Sequence, residues 1–222
     1  MKKIALIFTF LFCTVINGQN KTIEFPTEKN GGKTFAYEYF NKIINDIPLE
    51  RLENSENEYH FRYITPKHIA EIWKSKNGKI AGKIFSFVEK QPDSTSLEYL
   101  NNETKKTYFL REESIKKENA VSIYKKLNKL KLENIKSIKK QLPNNKNKKG
   151  IMLEFSNKES YKFKEFWYSE KIENDNITNK KLIEFNAFMS EIMNYDKLNE
   201  NLMNSLPEGC YNLANGFVKC NN

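Results

Sequence analysis

EYHFRYITPKHIAEIWKSKNGKIAGKIFSFV, residues 58–88, decides the fold class. Tyr59, Phe61 and Tyr63 alternate with His60 and Arg62, the two-residue period of a strand with one apolar face and one polar face. On that reading His60 and Arg62 face solvent. The next residues point two ways. Thr65-Pro66 suits a helix start, with Thr as N-cap and Pro in the first turn. Asn77-Gly78 is a strong hairpin turn signal, and Ile80–Val88 beyond it is rich in Ile and Phe. We read a hairpin, with Ile69–Lys74 paired to Lys79–Val88.

Working outward, Ala36, Phe40, Ile43 and Ile47 keep helical spacing over Lys33–Asp46, and Pro48 ends that segment. Thr107–Arg111 reads as a strand. Ala120, Tyr124, Leu127 and Leu130 predict a helix over Lys117–Leu132. Ile151–Phe155 and Tyr161–Tyr168 form a second hairpin around Asn157-Lys158-Glu159. Helices follow over Asn179–Tyr195 and Leu198–Ser205, stopped by Pro207-Glu208-Gly209. The whole is an α+β domain: an antiparallel sheet of about five strands built from hairpins, with three to four helices packed on it.

Upstream, Met1-Lys2-Lys3 precedes an uncharged run, Ile4–Ile16, of 13 residues. A helix of that length reaches about 20 Å, short of a bilayer core of about 30 Å. The layout is that of a secretory signal peptide over residues 1–18, cleaved between Gly18 and Gln19. Residues 19–32, with Pro26 and Gly31-Gly32, read as a flexible lead-in, and 33–222 as one domain. The mature chain is expected to be secreted or periplasmic, with no transmembrane segment.

Cys13 leaves with the leader. Cys210 and Cys220 remain as a pair in an oxidising compartment, and a disulfide is expected between them. Two thiolates with no histidine nearby do not complete a zinc site. No metal or cofactor is expected.

The formal charge of +9 is two lower once Lys2 and Lys3 are removed. Heavy use of Lys, Asn and Ile accounts for it as codon bias. The alternative is an anion-binding face on the tract Lys125–Lys149, opposed there only by Glu133.

Catalytic signatures are sparse. Gly32-Lys33-Thr34 resembles the end of a phosphate-binding loop, but Thr27 stands where that motif needs glycine, so no nucleotide is expected. His60 and His68 are the two histidines. His68 is the better acid–base candidate. Glu154 and Glu165, on facing strands of the second hairpin, are the candidate carboxylate pair of a glycosidase.

Three stretches together carry a resemblance: Tyr59–Trp73 ending in Asn77-Gly78; Tyr108–Leu132; and Glu154–Trp167 with the helix and Leu206-Pro207-Glu208-Gly209-Cys210-Tyr211 after it. They resemble small secreted bacterial proteins of uncharacterised function. The resemblance implies fold and compartment and brings no catalytic residues. The function expected is a non-enzymatic interaction or envelope-associated module, whose partner is a protein or an anionic polymer. The alternatives are a hydrolase of envelope glycan or peptide using His68, Glu154 or Glu165, and a basic binder of anionic polymers.

Overall fold

The computed structural model describes residues 21–47, 49–91, 106–137, 149–168, 177–213 and 217–221. The strands are β1 (Thr22–Glu24), β2 (Tyr59–Ile64), β3 (His68–Lys74), β4 (Ile80–Lys90), β5 (Thr107–Ser114), β6 (Lys149–Asn157), β7 (Ser160–Tyr168), β8 (Gly209–Asn212) and β9 (Val218–Asn221). The α-helices among the described residues are α1 (Phe35–Asp46), α2 (Lys117–Leu130), α3 (Ile177–Met193) and α4 (Tyr195–Asn204). The signal peptide and its cleavage bond, Gly18–Gln19, lie outside the described residues.

The deciding stretch folds as a hairpin. Tyr59 stands opposite Lys74 and Ile64 opposite Ile69, and β3 then pairs with β4 from His68↔Ser86 to Lys74↔Ile80. Thr65 does not cap a helix. Its hydroxyl accepts the His68 N–H and donates to the His68 carbonyl, closing a tight turn. At the other end Gly78 takes φ +78°, a conformation that costs glycine little, and the Asn77 side chain accepts the Lys79 N–H.

The sheet runs β1-β7-β6-β2-β3-β4, with β5 on the free side of β4. Past the end of β3, the last residues of β4 pair with β8, and β9 completes that hairpin. Nine strands form one sheet, against the five expected, and it is mixed because β1 runs parallel to β7. The strands without a counterpart in the sequence reading are β1, from the segment read as a lead-in, and β8 and β9, from the stretch that carries the cysteine pair. They are three or four residues long, too short for alternation to show. Lys164 of β7 is buried, and Glu24 of β1 pairs with it, which fixes the parallel strand to the edge. Cys210 and Cys220 stand opposite one another in the β8–β9 hairpin and are bonded, with S–S 2.04 Å.

Helices cover both faces. On one, Phe61, Tyr63, Ile72, Leu153 and Phe155 pack with Ala120, Ile123 and Leu127 of α2 and Leu182, Phe185 and Met189 of α3. On the other, Ile64, Ile69, Phe85, Tyr161 and Phe163 pack with Tyr37, Phe40, Ile43 and Ile44 of α1. Thr34, the polar residue of the phosphate-loop resemblance, caps α1 by accepting the Tyr37 N–H. This double cover overturns one expectation. His60 and Arg62 do not face solvent; they are 2% and 1% exposed.

Gly82 sits where the chain from β5 to α2 crosses β4, and Ile115 N–H donates to its carbonyl. A Cβ there would lie 2.5 Å from Ile72 Cδ1 and 2.8 Å from the Glu71 carbonyl oxygen. Side chains can shift, but the paired backbone of β3 cannot. Gly82→Ala is therefore expected to lower stability by about 1–3 kcal/mol, read as a lower urea midpoint with unchanged slope.

Candidate functional site

Two polar constellations stand out, one on each face of the sheet. The first lies under α1. Arg62 Nε donates to Glu71 Oε2 at 2.6 Å, Nη2 to the Glu50 carbonyl at 2.6 Å, and Nη1 is 3.5 Å from Glu154 Oε2. Tyr161 Oη donates to Glu154 Oε1 at 2.7 Å. His60 Nε2 is 2.9 Å from Glu71 Oε1, and Nδ1 is 2.7 Å from Ser55 Oγ. Burial pushes the Glu154 pKa up to about 7, with Arg62 acting against it. Glu71 stays below the usual carboxylate range: burial raises it, but His60 and Arg62 outweigh that.

Ser55–His60–Glu71 has the order of an acyl-transfer relay. Glu71 accepts from Nε2–H, which leaves Nδ1 to accept the serine proton. Yet Ser55 is 2% exposed, and its oxygen also accepts the Asn57 N–H and side-chain amide at 3.3 Å. A cavity of about 300 Å³ reaches His60 and Glu71, lined also by Trp73 and Glu112, and a separate one of about 600 Å³ touches Ser55, so neither cavity holds all three groups. The relay is tied up within the chain and anchors the segment 50–57 to the sheet.

The second constellation surrounds His68. The ring lies at the start of β3, on the face that carries α3 and α4. Asn194 makes this possible: it takes φ +45° between the helices, and its side chain caps α4 by accepting the Lys197 N–H. The turn sets Tyr195 and Asn199 on α4 toward the sheet. His68 Nδ1 is 2.9 Å from Ser86 Oγ, and its ring lies 5.4 Å from that of Tyr195. Tyr63 Oη donates to Asn186 Oδ1 of α3. A pocket of about 460 Å³ opens here, and Tyr63, His68, Asn186, Ser190, Tyr195 and Asn199 supply its polar groups. Burial, helped by nearby Lys67, lowers the His68 pKa to about 4, so the imidazole is neutral at physiological pH. Tyr195 Oη and Asn199 Oδ1 are shut off from solvent and make no well-formed hydrogen bond among the described residues, with the Tyr63 and His68 side chains as their near neighbours.

The chain matches no family model, and no curated protein or solved structure is found to match it.

The sequence-derived candidates divide between these places. His68 lines the pocket. Glu154 is buried on the opposite face, engaged by Arg62 and Tyr161. Glu165 stands opposite Met152, two residues along from Glu154, and accepts from Trp167 Nε1 at 2.6 Å. None of the pockets described is lined by two of the three. In the lysine tract, Lys126 pairs with Glu184, whereas Lys139, Lys140, Lys146 and Lys148 lie outside the described residues. Among the described residues no cluster of side chains suits a metal ion, and no helix is long and apolar enough to cross a membrane.

Sequence reasoning missed Asn186, Ser190, Tyr195 and Asn199. The helical spacing of Asn186–Ser190 and Tyr195–Asn199 was the available signal, but in a chain this rich in Asn it does not stand out.

Proposed function

We propose that the protein is a non-enzymatic binding module of the extracytoplasmic space, holding a small uncharged ligand at His68. The observation that carries this reading is the pocket itself: apolar walls, convergent hydroxyl and amide groups, and a histidine kept neutral. A neutral imidazole whose Nδ1 is engaged by Ser86, with no carboxylate among the described residues that line the same pocket, suits recognition better than proton transfer. The paired cysteines agree with an oxidising compartment.

Fragment screening by NMR on the mature chain tests the reading. Shift changes should cluster at residues 63–68 and 186–199. Changes scattered over the surface, or centred on the cavity beside Trp73, would count against it.

A second reading, hydrolase, is favoured by one observation, the Ser55–His60–Glu71 relay. A fluorophosphonate probe on the folded protein separates the two. We expect no adduct at Ser55. An adduct lost in His60→Gln would establish the hydrolase and displace the binding module.

A further inference from the structure

The composition of the His68 pocket narrows its ligand, and the inference rests on the binding reading above. Three ring-bearing side chains, Tyr63, His68 and Tyr195, stand with the amides of Asn186 and Asn199 and the hydroxyls of Thr65 and Ser190. Each amide offers a donor and an acceptor side by side, the pattern that vicinal hydroxyls complement. Among the described residues the lining holds one cation, Lys67, and no carboxylate. A cationic ligand would find no counter-charge there. A phosphorylated one would find a single lysine, with no glycine-rich loop to supply backbone N–H groups.

A peptide bound by strand addition needs an open sheet edge. Of the strands that line the pocket, β2 and β3 are paired on both sides, and β6 runs only from Lys149 to Ile151 beyond its pairing with β2, too short an edge for strand addition. Apolar surface comes from Ile151, Pro66 and the tyrosine rings. The second independent observation is the pair of buried polar atoms, Tyr195 Oη and Asn199 Oδ1, that make no well-formed hydrogen bond among the described residues. They lie one turn apart on α4, and both residues line the pocket. Leaving such buried groups without a well-formed hydrogen bond costs stability. A ligand rich in hydroxyls, met by small rotations of these side chains, would recover that cost.

We propose that the pocket binds a neutral saccharide, a sugar-sized unit of an uncharged glycan, with Asn186, Tyr195 and Asn199 as its hydrogen-bonding groups.

The test is saturation-transfer NMR and calorimetry on the mature, disulfide-bonded protein. The probes are chitotriose, maltotriose, trigalacturonate and an end-blocked tripeptide. A neutral trisaccharide should bind, and Tyr195→Phe and Asn199→Ala should each weaken it about tenfold. Tyr195→Phe is decisive because it removes only a hydroxyl that makes no well-formed hydrogen bond in the free protein and has only the Tyr63 side chain close to it. Its melting temperature should hold or rise while affinity falls; a purely structural role predicts no change in affinity. Binding only of trigalacturonate, or only of the tripeptide, at the same residues would overturn the ligand class and leave the pocket reading intact. No binding by any probe, together with no fragment cluster at His68, would overturn both.

Discussion

Arg62→Ala is expected to lower stability by about 3–5 kcal/mol at pH 7, the largest effect of any single substitution outside the apolar core. Arg62 is 1% exposed and is the cation that engages both Glu71 and Glu154. Truncation leaves Glu71 as a buried carboxylate with His60 as its remaining partner, while Glu154 takes up a proton. The Glu50 carbonyl loses its donor as well, so the segment 50–57 loosens. The cost is that of an uncompensated buried charge, not the net worth of the ion pairs. A control separates the two. Replacing the set together, Arg62→Met with Glu71→Gln and Glu154→Gln, should recover most of the loss, because no bare charge remains. Urea midpoints followed by circular dichroism measure both. A loss below about 1 kcal/mol in Arg62→Ala would show that water reaches the network, as it does at a surface pair.

The second large effect is a pH dependence that appears only when one of two opposing groups is removed. His68 titrates near 6.5 when unfolded and near 4 when folded. Its contribution is therefore complete above pH 6.5 and is lost as pH falls toward 4. The displacement amounts to about 3 kcal/mol, at about 1.4 kcal/mol for each tenfold change in proton affinity. Glu154 works in the reverse sense. Its folded pKa of about 7 stands above its ordinary 4.5, so its contribution is complete below 4.5 and is lost as pH rises through 7. Between pH 4.5 and 6.5 the two slopes oppose, and the native protein should show a nearly flat stability profile. Glu154→Gln exposes the histidine slope, and stability should fall as the solution is acidified from 6.5. His68→Gln exposes the carboxylate slope, and stability should rise over the same range. Denaturation midpoints from pH 4 to 8 read all three profiles. Parallel profiles for the two variants would refute the assignment.

Both predictions concern residues whose surroundings the sequence conceals. His60, Arg62, Glu71 and Glu154 occupy the polar positions of alternating strands, where a half-buried antiparallel sheet keeps its solvent face. Alternation reports which side chains share a face. It is silent on whether a second layer covers that face. Here α1 and the 50–57 segment supply the cover; both precede β2 in the chain and lie far from β6, and nothing local to the strands reports that they fold back over this face. The same holds for the pocket. His68 attracted notice as one of two histidines, but its companions Asn186 and Asn199 are more than a hundred residues away in the chain. They reach it through the α3–α4 bend at Asn194.

The sequence by itself determined the helices and the longer strands. Apolar spacing located α1 to α4, and Asn77-Gly78 selected the β3–β4 hairpin over a helix, because those signals are local and each rests on backbone preference or one face's periodicity. It also singled out the cysteine pair, since an even thiol count remains once Cys13 is set aside with the leader. Only the tertiary structure decided that helices cover both sheet faces, that a parallel edge strand forms from Thr22–Glu24, and that Arg62 holds buried carboxylates. Those outcomes depend on which distant surfaces meet. A charged side chain on a strand is equally suited to water or to a counter-ion until the layer above it is in place.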